Sequence, residues 1–385
     1  MQRVTGTYRV LKVGGVGGES VQAFLPAPLP PAGPALVLDG RLTALHAEAV
    51  AAIGKLGVAG AMVPSAEWFL YGFVRKEAVV SSEIEGTQAT LQDVVTFEAT
   101  NQAERLDDVR EVCNYVDALT FARREVASPK GLALGTRLLC GAHKRLMRGV
   151  RGAEKSPGEV RRSQNWIGGS RPGNARFVPP PPDEVPELMA RLERWIHSDD
   201  PLPPLVRAGL AHVQFETIHP FLDGNGRIGR LLVTLLLEHW GLLKGPLLYL
   251  SLALKRRQDE YYQRLSSVRD AGDWEGWTVF FLECVREAAD GGVAAAEQLF
   301  ALLGRDRARL IAHDSVTVPA VRLLDLLPSN PVVTLQLAID KLKVSKPTAI
   351  KAIKALQQAQ ILKETSGKRR DRVYAYQKYL DVLTE

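Results

Sequence analysis

The stretch from Pro204 to Trp240 constrains this chain more than any other. Its opening, LVRAGLAHVQFETI, carries Leu205, Ala208, Val213 and Phe215 at helical spacing. Its close, IGRLLVTLLLEHWG, is strongly apolar and stops at Gly241. Two helices are expected, with the turn His219-Pro-Phe-Leu-Asp-Gly-Asn-Gly-Arg-Ile-Gly-Arg230 between them.

The turn has a direct chemical reading. Asn225 is the expected N-cap, which starts the second helix near Gly226 with its first N–H groups lacking intrahelical partners. Gly224 and Gly226 have no Cβ, so a ligand can approach the main chain. Free N–H groups at the positive end of a helix dipole favour an anion, typically phosphate. Arg227 and Arg230 sit about one turn apart and can face the same polyanion. Asp223 is a hard oxygen ligand for Mg²⁺ riding on that phosphate, and His219 can take a proton from a hydroxyl. These are the parts of a phosphoryl or nucleotidyl transfer site.

HPFLDGNGRIGR resembles the Fic family signature, H-x-F-x-D/E-G-N-G-R-x-x-R, at every fixed position. The resemblance implies a protein adenylyltransferase that moves AMP from ATP, with Mg²⁺, onto a Ser, Thr or Tyr hydroxyl of a target protein, itself included. On that resemblance His219 is the general base, with Asn225 in the same catalytic loop. Phe221 anchors the loop, Asp223 holds the metal, and Gly224, Asn225 and Gly226 form the anion hole. Arg227 and Arg230 hold the β- and γ-phosphates. Related Doc-type kinases usually carry a lysine-containing loop; Gly226 favours AMP transfer over phosphate transfer.

A second string, Ser81-Ser-Glu-Ile-Glu85-Gly86, closes an expected helix from Ser65. Acids in a last turn oppose the helix dipole by about 0.3–1 kcal/mol, which a solvated end tolerates. The string is similar to the S/T-x-x-x-E-G/N inhibitory motif of Fic enzymes. The resemblance implies that Glu85 pairs with Arg230 and blocks seating of the γ-phosphate, a self-inhibited class II arrangement.

Composition narrows the setting. A chain of 385 residues, 46% hydrophobic and 24% charged, should hold two or three globular domains. Cys113, Cys140 and Cys284 are widely spaced, against a disulfide framework or structural zinc and in keeping with a reducing cytoplasm. The N-terminus has no apolar core of signal-peptide length, and no 18-residue apolar run is read, so no membrane is expected. Ten Lys/Arg against two acids lie between Lys341 and Arg372, so the basic character sits in the tail.

In chain order, residues 1–35 are Gly- and Pro-rich and read as an extended arm without a core. Helical periodicity covers Asp39 to about Leu56, then VREVCNYVDALTFARREV and GTRLLCGAHKRLMRGV, the latter ending near Gly152. EVRRSQNWIGGSRPGNARFVPPPPDEV suggests a β-hairpin. By resemblance it is the flap that aligns a target segment, with Ile167, Gly168, Gly169 and Ser170 near the nucleotide; an ordinary surface hairpin is the alternative. A helix from Glu184 to about Ile196 follows, and the chain beyond Trp240 is mostly helical. Tyr261 and Tyr262 fit the adenine and ribose end by family position, and by periodicity are equally core. Arg269 and Asp270 stand where the family often has Asn.

From about Val316, three helical segments and two β-like runs around Gly-Lys-Arg-Arg give the order of a winged helix-turn-helix. Its recognition helix follows Ser345; Lys346, Lys351, Lys354, Lys368, Arg369 and Arg370 suit the phosphates of duplex DNA. A protein-docking or dimerising module is the alternative. The expected fold is mainly α: a Fic-type helical bundle with a small hairpin flap, plus that winged domain. The expected boundaries are 1–100, 101–300 and 301–385, and the resemblance makes a homodimer plausible. Two further functions stand as alternatives: a phosphodiesterase removing AMP from a modified protein with the same residues, and a DNA-binding regulator that grips duplex through the basic tail while its Fic part senses ATP.

Overall fold

The computed structural model describes residues 3–13, 18–62 and 66–384. In order, its elements are β1 (Gly6–Val13), β2 (Glu19–Pro26), α1 (Gly40–Ala61), α2 (Ala66–Ile84), α3 (Leu91–Thr100) and α4 (Leu106–Ala127). Then come α5 (Thr136–Leu146), α6 (Val185–Ile196), α7 (Pro204–Ile218), α8 (Asn225–His239), α9 (Leu250–Arg256), α10 (Gln258–Ala271) and α11 (Trp274–Ile311). The tail holds α12 (Val318–Leu326), β3 (Val332–Thr334), α13 (Leu335–Leu342), α14 (Lys346–Gln358), β4 (Lys363–Glu364), β5 (Val373–Ala375) and α15 (Gln377–Thr384).

These form two compact units, neither continuous in sequence. The first holds the described residues up to Gly54, with Asn114–Pro246 and Leu250–Ala288; the second holds Lys55–Cys113, Leu247–Tyr249 and the described residues from Ala289 onward.

In the first unit α7 and α8 pack against each other at the centre, with α6 and α10 against α7 and α5 against α8. All of α7 from Leu205 onward is buried, including Arg207, His212 and Glu216. His212 stacks near Trp277 and its Nε2 lies 2.8 Å from the Tyr261 hydroxyl. A polar interior is tolerable when each group finds such a partner.

The arm expected over residues 1–35 is instead an antiparallel hairpin, β1 against β2 from Gly6↔Pro26 to Val13↔Glu19. Alternating side chains give β2 one buried face, Val21 and Ala23, over which Val178 closes, while Phe24 is buried on the other face. The Phe24 N–H donates to the Val178 carbonyl at 3.0 Å, and Arg3 grips Glu275 at 2.8 Å. The Gly14–Gly17 tip lies outside the described residues, as does the expected helix start at Ser65.

Helix α1 is long and apolar enough to cross a membrane by length and composition, contrary to the reading of no such stretch. Leu42, Leu45, Ala49, Ala52, Ile53 and Leu56 are nevertheless buried along one stripe, the pattern of an amphipathic core helix. Helix α5 stops at Leu146, short of the expected Gly152, where a chain of turns takes over. The expected flap hairpin shrinks to one bridge, with Ile167 and Phe177 exchanging both backbone bonds at 2.9 and 3.1 Å. Gly168 and Gly169 have φ of 69° and 79°, and a 3-10 turn at Pro172–Asn174 follows, so the ladder cannot extend.

In the second unit α12, α13 and α14 pack together beside a three-stranded sheet of order β3-β5-β4. Helix α3 had no counterpart in the sequence reading, although Thr90 and Asp93 form a complete capping box at its start.

Candidate active site

Helix α7 ends where His219 adopts left-handed backbone, φ 51° and ψ 62°, its N–H closing on the Phe215 carbonyl at 2.9 Å. A β-carbon in that region costs of order 1 kcal/mol, so surrounding bonds must hold it. The half-buried imidazole keeps Nδ1 3.3 Å from the Glu216 carbonyl. With its hydrogen on Nδ1 donating there, Nε2 is the basic nitrogen of the ring. Helix α8 begins six residues later. Its first intrahelical bond runs from Ile228 N–H to the Gly224 carbonyl at 3.1 Å, so the first turn, Asn225–Arg227, supplies the helix's open N–H end. Where α7 and α8 cross, a Cβ on Gly229 would fall 2.3 Å from Glu216 Oε1. A side chain there would have to push the Glu216 carboxylate aside.

The helix cap differs from the sequence expectation. Gly224, at φ 72°, is the N-cap, and Asn225 is already helical. The Asn225 side chain folds back onto Phe221, its Oδ1 accepting from the Phe221 N–H and its Nδ2 donating to the Phe221 carbonyl, both at 2.8 Å. Asn165 Nδ2 donates to the same carbonyl at 3.0 Å. Phe221 is 1% exposed, so the turn is pinned from both sides at a buried residue.

Two residues overlooked in the sequence complete the support. Arg161, 2% exposed, donates from Nε to the His219 carbonyl at 2.9 Å and from Nη2 to the Pro180 carbonyl at 2.5 Å, while its own N–H reaches the Pro220 carbonyl at 2.9 Å. Burial lowers its guanidinium to about 10, which still leaves it cationic at neutral pH. His143, 1% exposed, accepts the Gly158 N–H at Nδ1 (2.8 Å), so Nε2 carries the hydrogen and donates to the Asp223 carbonyl at 3.0 Å. Burial drives the ring down to about 4, so it is neutral.

Asp223 points its carboxylate at Lys155 Nζ, 2.7 Å away, and at the Gly224 N–H, also at 2.7 Å; Arg227 Nη2 is 3.9 Å off. Partial burial alone would raise this carboxyl, but Lys155, the Gly224 amide and Arg227 together hold it below its usual value. Among the described residues no group of three or more His, Cys, Asp or Glu gathers to hold a metal ion. Arg227 and Arg230 are both buried, at 4% and 2% exposure.

The other singled-out residues divide. Ile167 is half-buried and Gly168, Gly169 and Ser170 are exposed, with Ser170 Oγ accepting from Asn174. Tyr261 is buried at 2% exposure against His212, Trp277 and Phe280, which leaves Tyr262, 39% exposed, as the surface member of the pair. Arg269 lies over the Phe177 ring at 4.1 Å, and burial lowers its guanidinium. Arg269 and Asp270 border a cleft of about 330 Å³ between the hairpin, the flap and α10. Ser81, Glu85 and Gly86 belong to the second unit, at the end of α2; Ser81 is buried, Glu85 and Gly86 are exposed, and Gly86 takes φ 92°.

Residues 43–124 match the Fic/DOC family N-terminal model and residues 133–237, which hold the whole His219–Arg230 turn, match the Fic/DOC family model. This is a Fic domain protein. It is 30% identical over 218 residues to the protein adenylyltransferase Fic of Drosophila erecta, a match covering 54% of this chain and 39% of that protein. The Drosophila yakuba protein of the same name is 29% identical over 212 residues, again covering 39% of its length. The chain thus spans about two fifths of these curated relatives. A Fic family protein of Desulfovibrio desulfuricans G20 has the same fold, with a TM-score of 0.57 at 24% identity over 89% of this chain and 97% of that one. Fic-1 of C. elegans gives a TM-score of 0.51 at 20% identity, over 68% of this chain and 74% of the other. The Fic domain therefore comprises α5–α8 and the turn between its last two helices.

Proposed function

We propose that this Fic domain protein transfers AMP from ATP to a hydroxyl side chain of a protein. What carries the reading is the turn from His219 to Arg230: a proton acceptor and an open helix N-terminus held at fixed separation by Arg161, Asn225 and His143. The hydroxyl oxygen attacks the α-phosphorus, its proton passes to His219 Nε2, and the bond to the pyrophosphate oxygen breaks. The N–H groups of Asn225, Gly226 and Arg227, with the buried Arg227 and Arg230 guanidiniums, match the charge of a polyphosphate.

Mg²⁺ fits this site as a guest of the nucleotide. Mg²⁺ takes one or two carboxylates plus phosphates and keeps its waters, and Asp223 is one carboxylate beside the anion end. There it would neutralise phosphate charge. Glu85 is read from its sequence motif as the restraint on the reaction.

The test uses ATP labelled at the α-phosphate. Label is expected on protein, lost in His219→Ala and raised in Glu85→Gly. Label retained from the γ-phosphate instead would overturn the assignment, and loss of AMP from a pre-modified target on adding the enzyme would mark the reverse reaction.

A further inference from the structure

The second unit carries a groove that the transfer reaction does not use. It measures about 750 Å³ and lies between α14 and the turn joining β4 to β5, with the end of α3 along its third side. Lys346, Ile350, Lys354 and Gln357 follow one another at helical spacing on the α14 wall, and Lys368 to Arg372 form the opposite wall. Six of the lining residues are cations and Asp371 is the one acid among them. Among the described residues no ion pair involves Lys346, Lys354, Arg369 or Arg370, all of which are exposed. Like charges facing one another across a groove repel, and a polyanion relieves that repulsion.

We infer that this groove binds the phosphodiester backbone of duplex DNA. Three observations choose this ligand among polyanions. Helix α14 is the second member of a helix-turn-helix, reached from α13 by a short turn through Lys343 at φ 55°, and its start is the end that meets nucleic acid in such pairs. A basic strand turn, Gly367 to Arg370, stands beside it where a second phosphate contact would fall. Tyr374 is the sole aromatic side chain along the groove, so no stacking platform for single-stranded bases is present there. The third wall sets the mode of contact. Ala99, Thr100 and Gln102 close one side, with Lys368 Nζ on Gln102 Oε1 at 3.3 Å, so α14 meets one strand's phosphates rather than sinking into the major groove. Phosphate contacts position a protein without reading sequence, and binding here is sequence-independent.

The experiment is fluorescence anisotropy of a labelled duplex of about 20 bp, two helical turns, with the full chain, without nucleotide, as salt rises. Six cations give a log–log slope near −5, an affinity loss of about a thousandfold between 50 and 200 mM salt. The double variant Arg369→Ala/Arg370→Ala should lower the slope by about 2, and Lys354→Gln by about 1, with unchanged melting temperatures since these side chains are exposed. Absence of duplex binding at 50 mM salt, a slope indifferent to these changes, or single strands bound as tightly as duplex would each overturn the inference. Because the assay contains no ATP, its failure leaves the AMP-transfer reading standing, and the reverse.

Discussion

The His143 imidazole lies flat on the Phe221 ring, centroids 3.9 Å apart and planes 6° from parallel, while its Nε2 donates to the Asp223 carbonyl. One buried side chain on α5 therefore sets both the anchor and the acidic end of the His219–Arg230 turn. His143→Phe preserves the stack and removes both hydrogen bonds. Leaving the Gly158 N–H and the Asp223 carbonyl unmatched should cost about 1–3 kcal/mol each, and a displaced turn roughly ten- to a hundredfold in AMP transfer. Urea midpoints and transfer rates on the same preparation check both.

Acid should weaken the fold in a defined window. His143 and His212 are held neutral by burial, each down to about 4, against about 6.5 in an unfolded chain. Above pH 6.5 neither state gains from protonation. As pH falls from 6.5 to 4 the unfolded chain takes up protons that the folded one refuses. Stability should then fall by about 1 kcal/mol per pH unit for each ring. Urea midpoints between pH 4 and 7 should show this decline, and His212→Phe should make it shallower.

Asn225→Asp keeps an acceptor for the Phe221 N–H but sets a carboxylate against the Phe221 carbonyl. AMP transfer should fall at least tenfold while the melting temperature drops only a few degrees, because the damage is confined to the turn. Equal loss in Asn225→Ser, which can keep one of the two bonds, would count against the clamp.

Tyr261 and Tyr262 should separate cleanly. Tyr261→Phe strips the hydroxyl from buried His212 and should destabilise the protein by about 1–2 kcal/mol with unchanged nucleotide affinity. Tyr262→Ala, at the surface, should leave stability alone; if the nucleotide base rests there, its Kd rises. Calorimetric titration with a non-hydrolysable ATP analogue decides.

Lys155 competes for the carboxylate that a divalent ion would use. A half-exposed pair of this kind is worth about 0.2–1 kcal/mol, so Lys155→Ala should strengthen the Mg²⁺ dependence of nucleotide binding by a fewfold. An unchanged Mg²⁺ titration would place the ion elsewhere.

The pair α7–α8 and its turn were legible because apolar helical spacing and Gly/Asn turn chemistry agree over one short stretch. The turn's supports were not. His143 and Arg161 are distant in sequence, and a lone His or Arg on an otherwise ordinary helix or loop carries no pattern. Asn225 misled for a different reason: its amide can cap a helix or grip a backbone segment, and the bond to buried Phe221 wins. The N-terminal hairpin was hidden by glycine and proline at its ends and by adjacent apolar residues, Val10-Leu11 and Ala23-Phe24-Leu25, that break the two-residue alternation of a strand. Tyr261 and Tyr262 differ by one position on a helix, where only burial tells inside from outside.

The hairpin has one last consequence, in the order of events during synthesis. Strand β2 emerges early, yet the carbonyl that Phe24 needs is on Val178, far along the chain. Its apolar face must wait, uncovered, until the flap leaves the ribosome, and closing so long a loop is slow. A nascent chain halted before Val178 should therefore be the species most prone to stick to its neighbours.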